Sequence, residues 1–156
     1  MGLLHKAATF RAMGPLGRAL YFEAALLPLA IRLGFRLWGV PQTQKALRQW
    51  AMRGTAQAIH ARRVIAAALQ AQFTAKRTAG VDGTCLVKTL SMWASLTRRG
   101  IATEPRWGSR KEPGGSIAMH AWLEFEGRPV NDDPAVVATY TAYRDPAWFD
   151  APPRRQ

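Results

Sequence analysis

The chain contains one cysteine, Cys85, and it stands at the point where a helical pattern begins. The N–H groups and the dipole of a helix N-terminus stabilise a thiolate, which is the nucleophilic form of cysteine. Thr84 or Asp82 is placed to cap such a helix. Residue statistics alone favour the alternative, a buried structural cysteine. The position of Cys85 therefore permits a nucleophile and leaves both interpretations open.

A candidate general base, His120, lies in the segment SIAMHAWLEFE, whose pattern predicts a strand. Successive side chains of a strand point to opposite faces, so His120 and Glu124 share one face. The other face carries an apolar row of Met119, Ala121, Leu123 and Phe125. A histidine that only packs in a core is expected in the apolar row, so the position of His120 favours a functional role.

The turn after this strand decides which acidic residue faces the histidine. A two-residue loop of Glu126 and Gly127 would place the glutamate at positive φ, which is costly for a residue with a Cβ. We therefore predict a three-residue loop over 125–127, which pairs Glu124 with Arg128 across the two strands.

Counting outward from that loop, Asp132 lies opposite His120, where its carboxylate would orient the imidazole and stabilise the protonated ring. A two-residue loop would bring Asp133 to this place instead. Asp133 precedes Pro134, and this pair is typical of a helix N-cap followed by proline at the first helical position. We therefore favour Asp132 as the partner of His120.

A cysteine at a helix start, with a histidine and an aspartate on adjacent strands, would attack a carbonyl carbon and form a thioester that water or an amine resolves. The backbone N–H of Cys85 is the natural donor to the oxyanion. Trp107 and Trp122 are candidates to line a substrate groove, with packing in the core or sheet as the alternative. No spacing of cysteine and histidine indicates zinc, and no metal or other cofactor is expected.

Helices fill the first half of the sequence and a small antiparallel sheet follows, so the predicted fold class is α+β. Three helices are predicted before the cysteine helix, over residues 3–13, 17–38 and 43–75. Proline and glycine interrupt them: a kink or split is predicted at Pro28, an end at Gly39, and a bend or division at Gly54. After the sheet, a short helix is predicted from Pro134 to about Tyr143.

The length of 156 residues favours a single domain. Its helical part is predicted to cover residues 1–76, the catalytic part residues 77–150, and a frayed tail residues 151–156. In the cysteine helix, Leu90 and Trp93 belong to a predicted apolar face, whereas Ser91 and Ser95 belong to a predicted hydrated face. Gly100 follows as a left-handed helix end.

Residues 19–40 are apolar enough to resemble a membrane span. Glu23, Arg32 and Arg36 interrupt them, and each charge costs about 2.5–3.5 kcal/mol at a bilayer centre. An apolar row follows one face of this predicted helix, formed by Leu26, Leu29, Ala30, Leu33 and Leu37. We predict that this row packs against the core, with peripheral contact to a membrane as the alternative.

The net charge is +12, and the 22 lysines and arginines are scattered along the chain rather than collected in one run. A solvated basic surface and a partner-binding surface are both compatible with this distribution. No nucleic-acid-binding motif is evident, so nucleic acid is not expected as a partner. One cysteine excludes an internal disulfide, and without an export signal the expected location is the cytoplasm.

Three segments within residues 84–133 resemble the leader peptidases of lasso-peptide biosynthesis, the B proteins: TCLVKTLSMWASLTRRGI, RWGSRK and MHAWLEFEGRPVND. The resemblance implies a transglutaminase-like or papain-like cysteine protease fold, with Cys85 as nucleophile, His120 as base and Asp132 as orienting acid. It also implies that the protein cuts the leader from a ribosomally made precursor peptide. A separate asparagine-synthetase-like cyclase then closes an isopeptide ring.

Fused members of that family begin with a winged-helix-like leader-recognition domain that carries a three-stranded sheet, and no such strands are predicted before residue 76. The resemblance therefore implies a split form that works with a separate leader-recognition protein. Two rival functions stay open. One is transglutaminase-like or arylamine-acetyltransferase-like acyl transfer by the same three residues, and the other is a basic helical protein that binds nucleic acid or membrane without catalysis.

Overall fold

The computed structural model describes residues 14–54 and 60–143. Within these residues, four helices and a small antiparallel sheet confirm the predicted α+β class. In chain order the elements are α1 (Pro15–Met52), α2 (Ala61–Ala79), α3 (Cys85–Thr97), β1 (Glu104–Lys111), β2 (Ile117–Phe125), β3 (Arg128–Pro129), α4 (Pro134–Val137) and β4 (Thr141–Ala142). The predicted helix over 3–13 and the predicted tail over 151–156 lie outside the described residues.

The helix α1 consists of two segments joined at Gly39, whose φ of 75° breaks the helical path. The break allows Gly34 to pack against Thr43, because a Cβ at Gly34 would lie 2.7 Å from the threonine side chain. Thr43 also donates a hydrogen bond to the carbonyl oxygen of Gly39 at 2.7 Å. The predicted break at Gly39 is thus confirmed. At Pro28, where a kink or a split is predicted, the helix is not split, because this buried proline lies within continuous helix.

The predicted helix over 43–75 is divided, as expected, at Gly54. A Cβ at this position would lie 1.9 Å from the carbonyl oxygen of Arg98, so only glycine allows the chain to pass the end of α3. The Arg98 side chain reaches back to α1, where it donates to the carbonyl oxygen of Trp50 at 3.0 Å and lies over its ring. The close approach at Gly54 therefore joins α1 to the C-terminal end of α3.

The helix α3 is the centre of the molecule, because α1, α2 and the sheet pack around it. Leu90 and Trp93 are buried as predicted. Ser91 and Ser95 are buried as well, so the predicted hydrated face is wrong at these two positions. The Ser91 hydroxyl is satisfied inside the helix, where it donates to the carbonyl oxygen of Val87 at 2.7 Å. Packing on several sides of α3 therefore buries both serines.

The apolar row predicted to pack against the core lies on the surface instead. Leu26, Leu29, Leu33 and Leu37 are between 51% and 60% exposed, and Ala30 is exposed too. The core-facing residues of this segment are instead Leu20, Ala24 and Ile31. The segment is apolar on two faces, and contact with α2 and α3 decides which face is buried. No helix among the described residues is both long enough and apolar enough to cross a bilayer.

The four strands lie in the order β3–β2–β1–β4. Gly108 of β1 pairs with His120 of β2 and with Ala142 of β4. A Cβ at Gly108 would lie 2.6 Å from the carbonyl oxygen of Thr141, so glycine allows β4 to approach. The strand β4 replaces the last part of the helix predicted to continue to Tyr143, because α4 ends at Val137.

The β2–β3 hairpin corrects the predicted loop. Phe125 pairs with Arg128, so the loop has two residues, with Glu126 at φ 53° and Gly127 at φ 73°. Such a turn matches the right-handed twist of its strands, which outweighs a cost of about 1 kcal/mol for a non-glycine residue at positive φ. The predicted pairing of Glu124 with Arg128 is therefore wrong.

Candidate active site

Cys85 is the first residue of α3, as the sequence predicts. The helix is capped by Thr84, whose hydroxyl oxygen accepts a hydrogen bond from the backbone N–H of Val87 at 3.4 Å. Cys85 is partly exposed rather than buried, so the interpretation as a buried structural cysteine does not fit. The first N–H groups of a helix have no partner within the helix, so the cysteine lies where an anion is stabilised.

The loop before Cys85 is held by Asp82. Its carboxylate accepts from the backbone N–H of Gly83 and forms ion pairs of 2.9 Å with Lys88 and with Lys76. Lys88, and then Lys76, hold the pKa of the Asp82 carboxyl well below its usual range. Asp82 therefore ties the end of α2 to the first turn of α3, while Thr84 provides the helix cap.

His120 and Asp132 are brought together, as predicted. The Nε2 atom of His120 lies 2.5 Å from Oδ2 of Asp132, and the two side chains are 18% and 26% exposed. The other carboxylate oxygen of Asp132 accepts from the backbone N–H of Asp133 at 2.9 Å. The imidazole is thus oriented through Nε2, which leaves Nδ1 as the nitrogen available for a reacting group.

The structure reaches this pairing by a different route from the predicted one. Continuing the observed register of the hairpin would place Asp133 opposite His120. The ladder instead ends after Val130, whose N–H donates to the carbonyl oxygen of Leu123. The N–H of Leu123 donates to the side-chain oxygen of Asn131 at 2.7 Å, and this side chain replaces a backbone acceptor.

Beyond the end of the β2–β3 ladder, the neighbouring residues Asp132 and Asp133 have different roles. Asp132 reaches the imidazole of His120. Asp133 caps α4, where its carboxylate accepts from the N–H of Ala135 at 2.8 Å. The predicted cap at Asp133, followed by Pro134 at the helix start, is confirmed. The partner aspartate was thus identified correctly although the register was wrong.

Thr89 and Asn131 join the cysteine helix to these strands, and the sequence interpretation missed both. The buried Thr89 hydroxyl donates to the carbonyl oxygen of Ala121 at 3.1 Å and accepts from the side-chain amide of Asn131 at 3.2 Å. Residues four apart share a helix face, so Thr89 lies one turn beyond Cys85 on the same face. That face is therefore linked to the chain neighbours of His120 and Asp132.

Two aromatic rings contact the His120 imidazole. The ring of Tyr140 lies 5.0 Å away, centroid to centroid, and the ring of Trp122 lies 6.2 Å away and nearly parallel. The guanidinium of Arg110 covers the Tyr140 ring at 4.8 Å. Glu112 binds Arg110 at 2.8 Å and raises its pKa. The sequence pattern did not indicate the contact of Tyr140 with His120, because it predicted that Tyr140 lies within a helix.

The two tryptophans predicted as groove residues have different environments. Trp122 is 1% exposed, and its indole N–H donates to Glu124 at 2.8 Å, which favours the packing alternative. Trp107 is partly exposed and meets Tyr143 edge to face at 6.2 Å. Trp107 pairs with Ala121 and therefore lies on the face of the sheet opposite to that of His120.

The arrangement offers a partly exposed thiol at a helix start and an imidazole oriented by a carboxylate, and groups of these types can carry out acyl transfer through a thioester. Within the described part of the chain, no group of three histidine, cysteine or acidic side chains is placed to hold a metal ion.

A family model for the transglutaminase-like superfamily matches residues 25–145. The matched range contains Cys85, His120 and Asp132, together with α2, α3, the whole sheet and most of α1. No curated protein and no solved structure matches the chain.

Proposed function

The chain belongs to the transglutaminase-like superfamily, and from this premise we propose that it is a cysteine peptidase that removes the leader from a ribosomally made lasso precursor peptide. The observation that carries the proposal is the hydrogen bond between His120 and Asp132, next to a helix that begins with the only cysteine of the chain. The motif resemblance over residues 84–133 supports the choice of substrate.

In the first step, Nδ1 of His120 accepts the thiol proton of Cys85, and the sulfur attacks the carbonyl carbon of the scissile peptide bond. The tetrahedral oxyanion is stabilised by the backbone N–H of Cys85 at the start of α3. The carbon–nitrogen bond then breaks, and His120 passes its proton to the departing amine. The leader is now held as a thioester, and the core peptide leaves with a free N-terminus.

In the second step, water attacks the thioester while His120 accepts one of its protons. The carbon–sulfur bond breaks and the leader leaves with a free carboxylate, which restores the thiol. Asp132 holds the imidazole of His120 by a hydrogen bond and stabilises its protonated form. Thr89 and Asn131 hold α3 against β2, and the mechanism requires that the sulfur of Cys85 and Nδ1 of His120 meet in one cleft.

The proposal includes two further proteins. A separate leader-recognition protein delivers the precursor to the cleft, and an asparagine-synthetase-like cyclase in the cytoplasm uses the free amine of the released core peptide. Neither partner contributes to the chemistry of bond cleavage in this scheme, so the two steps above need only this chain and its substrate.

The test is cleavage of a lasso precursor peptide from the same source, with and without its recognition protein, followed by mass spectrometry. We expect leader and core fragments, with faster cleavage when the recognition protein is present. Cys85→Ala and His120→Ala reduce kcat by about 10⁴-fold or more. Asp132→Asn reduces it by about 10²- to 10⁴-fold. Asp133→Ala is the matched control, with an effect on α4 and little on kcat.

Because the chain has one thiol, alkylation by iodoacetamide provides a second readout that needs no substrate. At about pH 6, His120→Ala slows this reaction by about tenfold or more, since the thiol of Cys85 loses the base that accepts its proton. Unimpaired cleavage by Cys85→Ala would contradict the proposal. Transfer of the leader acyl group to an added amine in preference to water would identify acyl transfer as the function instead.

A further inference from the structure

The outward face of the first segment of α1 carries a continuous apolar row, here called the outer seam. Its members are Ala19, Phe22, Leu26, Leu29 and Leu33. The phenylalanine and the three leucines are each more than half exposed. Single exposed leucines are ordinary, but a contiguous exposed row of large apolar side chains marks an interaction site.

The spacing within the outer seam indicates what kind of surface it fits. The intervals from residue 19 to residue 33 are three, four, three and four, which is the 3.5-residue repeat of a helix packed along another helix. The seam is about 21 Å long at 1.5 Å per residue.

The seam cannot turn inward to bury itself. The opposite face of the segment is already in the core through Leu20, Ala24 and Ile31. Glu23 fixes the rotation of the helix, because its carboxylate binds the guanidinium of Arg99 at 2.6 Å and 3.1 Å. The seam is therefore left for another surface to cover.

The charges around the seam indicate the chemistry of that surface. Arg18 and Arg32 border the seam, and Arg36 occupies the next position of the same repeat; all three are exposed. In a second copy of this chain, antiparallel pairing would bring the arginine borders together and parallel pairing would oppose Arg36 to itself. Like charges in such positions oppose self-association, whereas acidic side chains complement them.

We propose that the outer seam docks a helix of a partner protein whose own apolar row is bordered by glutamate or aspartate. The proposal is independent of the proposed peptidase function, since the seam lies on α1 and contains none of the three candidate catalytic residues. Failure of the protein to cleave precursor peptide would therefore not contradict the docking proposal.

The probes are two fluorescent 21-residue helical peptides with leucine at the first and fourth heptad positions, one bordered by glutamate and the other by lysine. Anisotropy is measured at concentrations where the peptides alone are monomeric. The acidic peptide is expected to bind at least about tenfold more tightly than the basic one, with affinity that falls as salt rises. Leu29→Glu abolishes binding. The matched control Ile117→Glu, at an exposed apolar residue on β2, leaves binding unchanged.

Four outcomes would overturn the proposal. Equal binding of the two peptides would show that the seam has no preference for a partner with acidic border residues. A wild-type dimer that Leu29→Glu dissociates, seen by sedimentation, would assign the seam to a second copy. Co-sedimentation with phosphatidylglycerol vesicles that Leu29→Glu abolishes would assign it to a lipid surface. Tighter peptide binding by a chain without residues 1–13 would assign it to that segment. Circular dichroism establishes that each variant is folded.

Discussion

The helices α1 and α3 are both rich in apolar residues, but the molecule uses them differently. In α3 the apolar residues and even two serines are buried, because other elements surround the helix. In the first segment of α1 one apolar row is buried and a second lies in solvent. Periodicity therefore identifies the faces of a helix, whereas the neighbouring elements decide what each face contacts. A central helix can hold a reactive residue at its end, and a peripheral one can present a surface.

The largest expected effect is on stability and comes from truncating a leucine in each helix. Leu90→Ala in α3 opens a cavity at a position with no exposure and lowers the free energy of unfolding by about 2–5 kcal/mol. Leu29→Ala in α1 changes it by less than about 0.5 kcal/mol. Urea unfolding of both variants measures the two effects. Equal losses would mean that the outer row of α1 is buried within the folded chain.

The next effect concerns the ion pair that joins the two helices. Glu23→Gln leaves the nearly buried guanidinium of Arg99 without its anion and lowers the free energy of unfolding by about 3 kcal/mol. The matched control is Glu126→Gln, which breaks the exposed pair with Arg62 and costs less than about 0.5 kcal/mol. If chemical unfolding gives the two variants the same midpoint, the pair does not fix α1 on α3.

A smaller effect on stability, with a clear effect on activity, is expected for Thr89→Val. The variant leaves the Ala121 carbonyl and the Asn131 amide without the Thr89 hydroxyl, at a cost of about 1–3 kcal/mol. Because the helix start then shifts relative to the imidazole, kcat for leader cleavage falls by about 10- to 100-fold with little change in KM.

Steady-state kinetics tests this separation of kcat from KM. The control is Thr74→Val, because the Thr74 hydroxyl donates to the carbonyl oxygen of Gln70 within α2 and not across to the strands. This variant is expected to keep wild-type kcat. A similar loss of kcat in both valine variants would show that general loosening of the core, rather than the link at Thr89, causes the defect.

The smallest effect is a pH dependence from Asp82, an exposed residue. Its pKa is lowered in the folded protein, so its stabilising contribution is present above the ordinary aspartate value of about 3.9 and declines as the pH falls below it. The gap in urea midpoint between wild type and Asp82→Asn is therefore expected to shrink from about pH 6 to about pH 3. A gap that widens on acidification would contradict this sign.

Much of the candidate site could be read from the sequence, because its signals are local. A threonine before Cys85 predicts a helix start, and alternation in β2 separates His120 from the apolar row. The aspartate before Pro134 predicts a cap and leaves Asp132 for the imidazole. These inferences each depend on a few neighbouring residues, and the structure agrees with them.

What the sequence did not predict depends on small energy differences or on distant contacts. The prediction of a three-residue loop was wrong because it considered the cost of about 1 kcal/mol for Glu126 at positive φ and did not consider the twist of the strands. Thr89 and Asn131 meet across 42 positions of sequence, so no local pattern reveals their contact. The burial of Ser91 likewise follows from packing around α3.

The side-chain amide of Asn131, which ends the hairpin ladder, makes the position of Asp132 independent of the length of the turn. In an uninterrupted ribbon, one extra residue in the turn would reverse which side chains face each way along the whole second strand. Here the side chain of Asn131 ends the β2–β3 ladder after only a few residue pairs. The position of Asp132 therefore no longer depends on the number of residues in the turn. The tip at residues 126 and 127 is consequently a place where insertions can be accommodated without displacing Asp132.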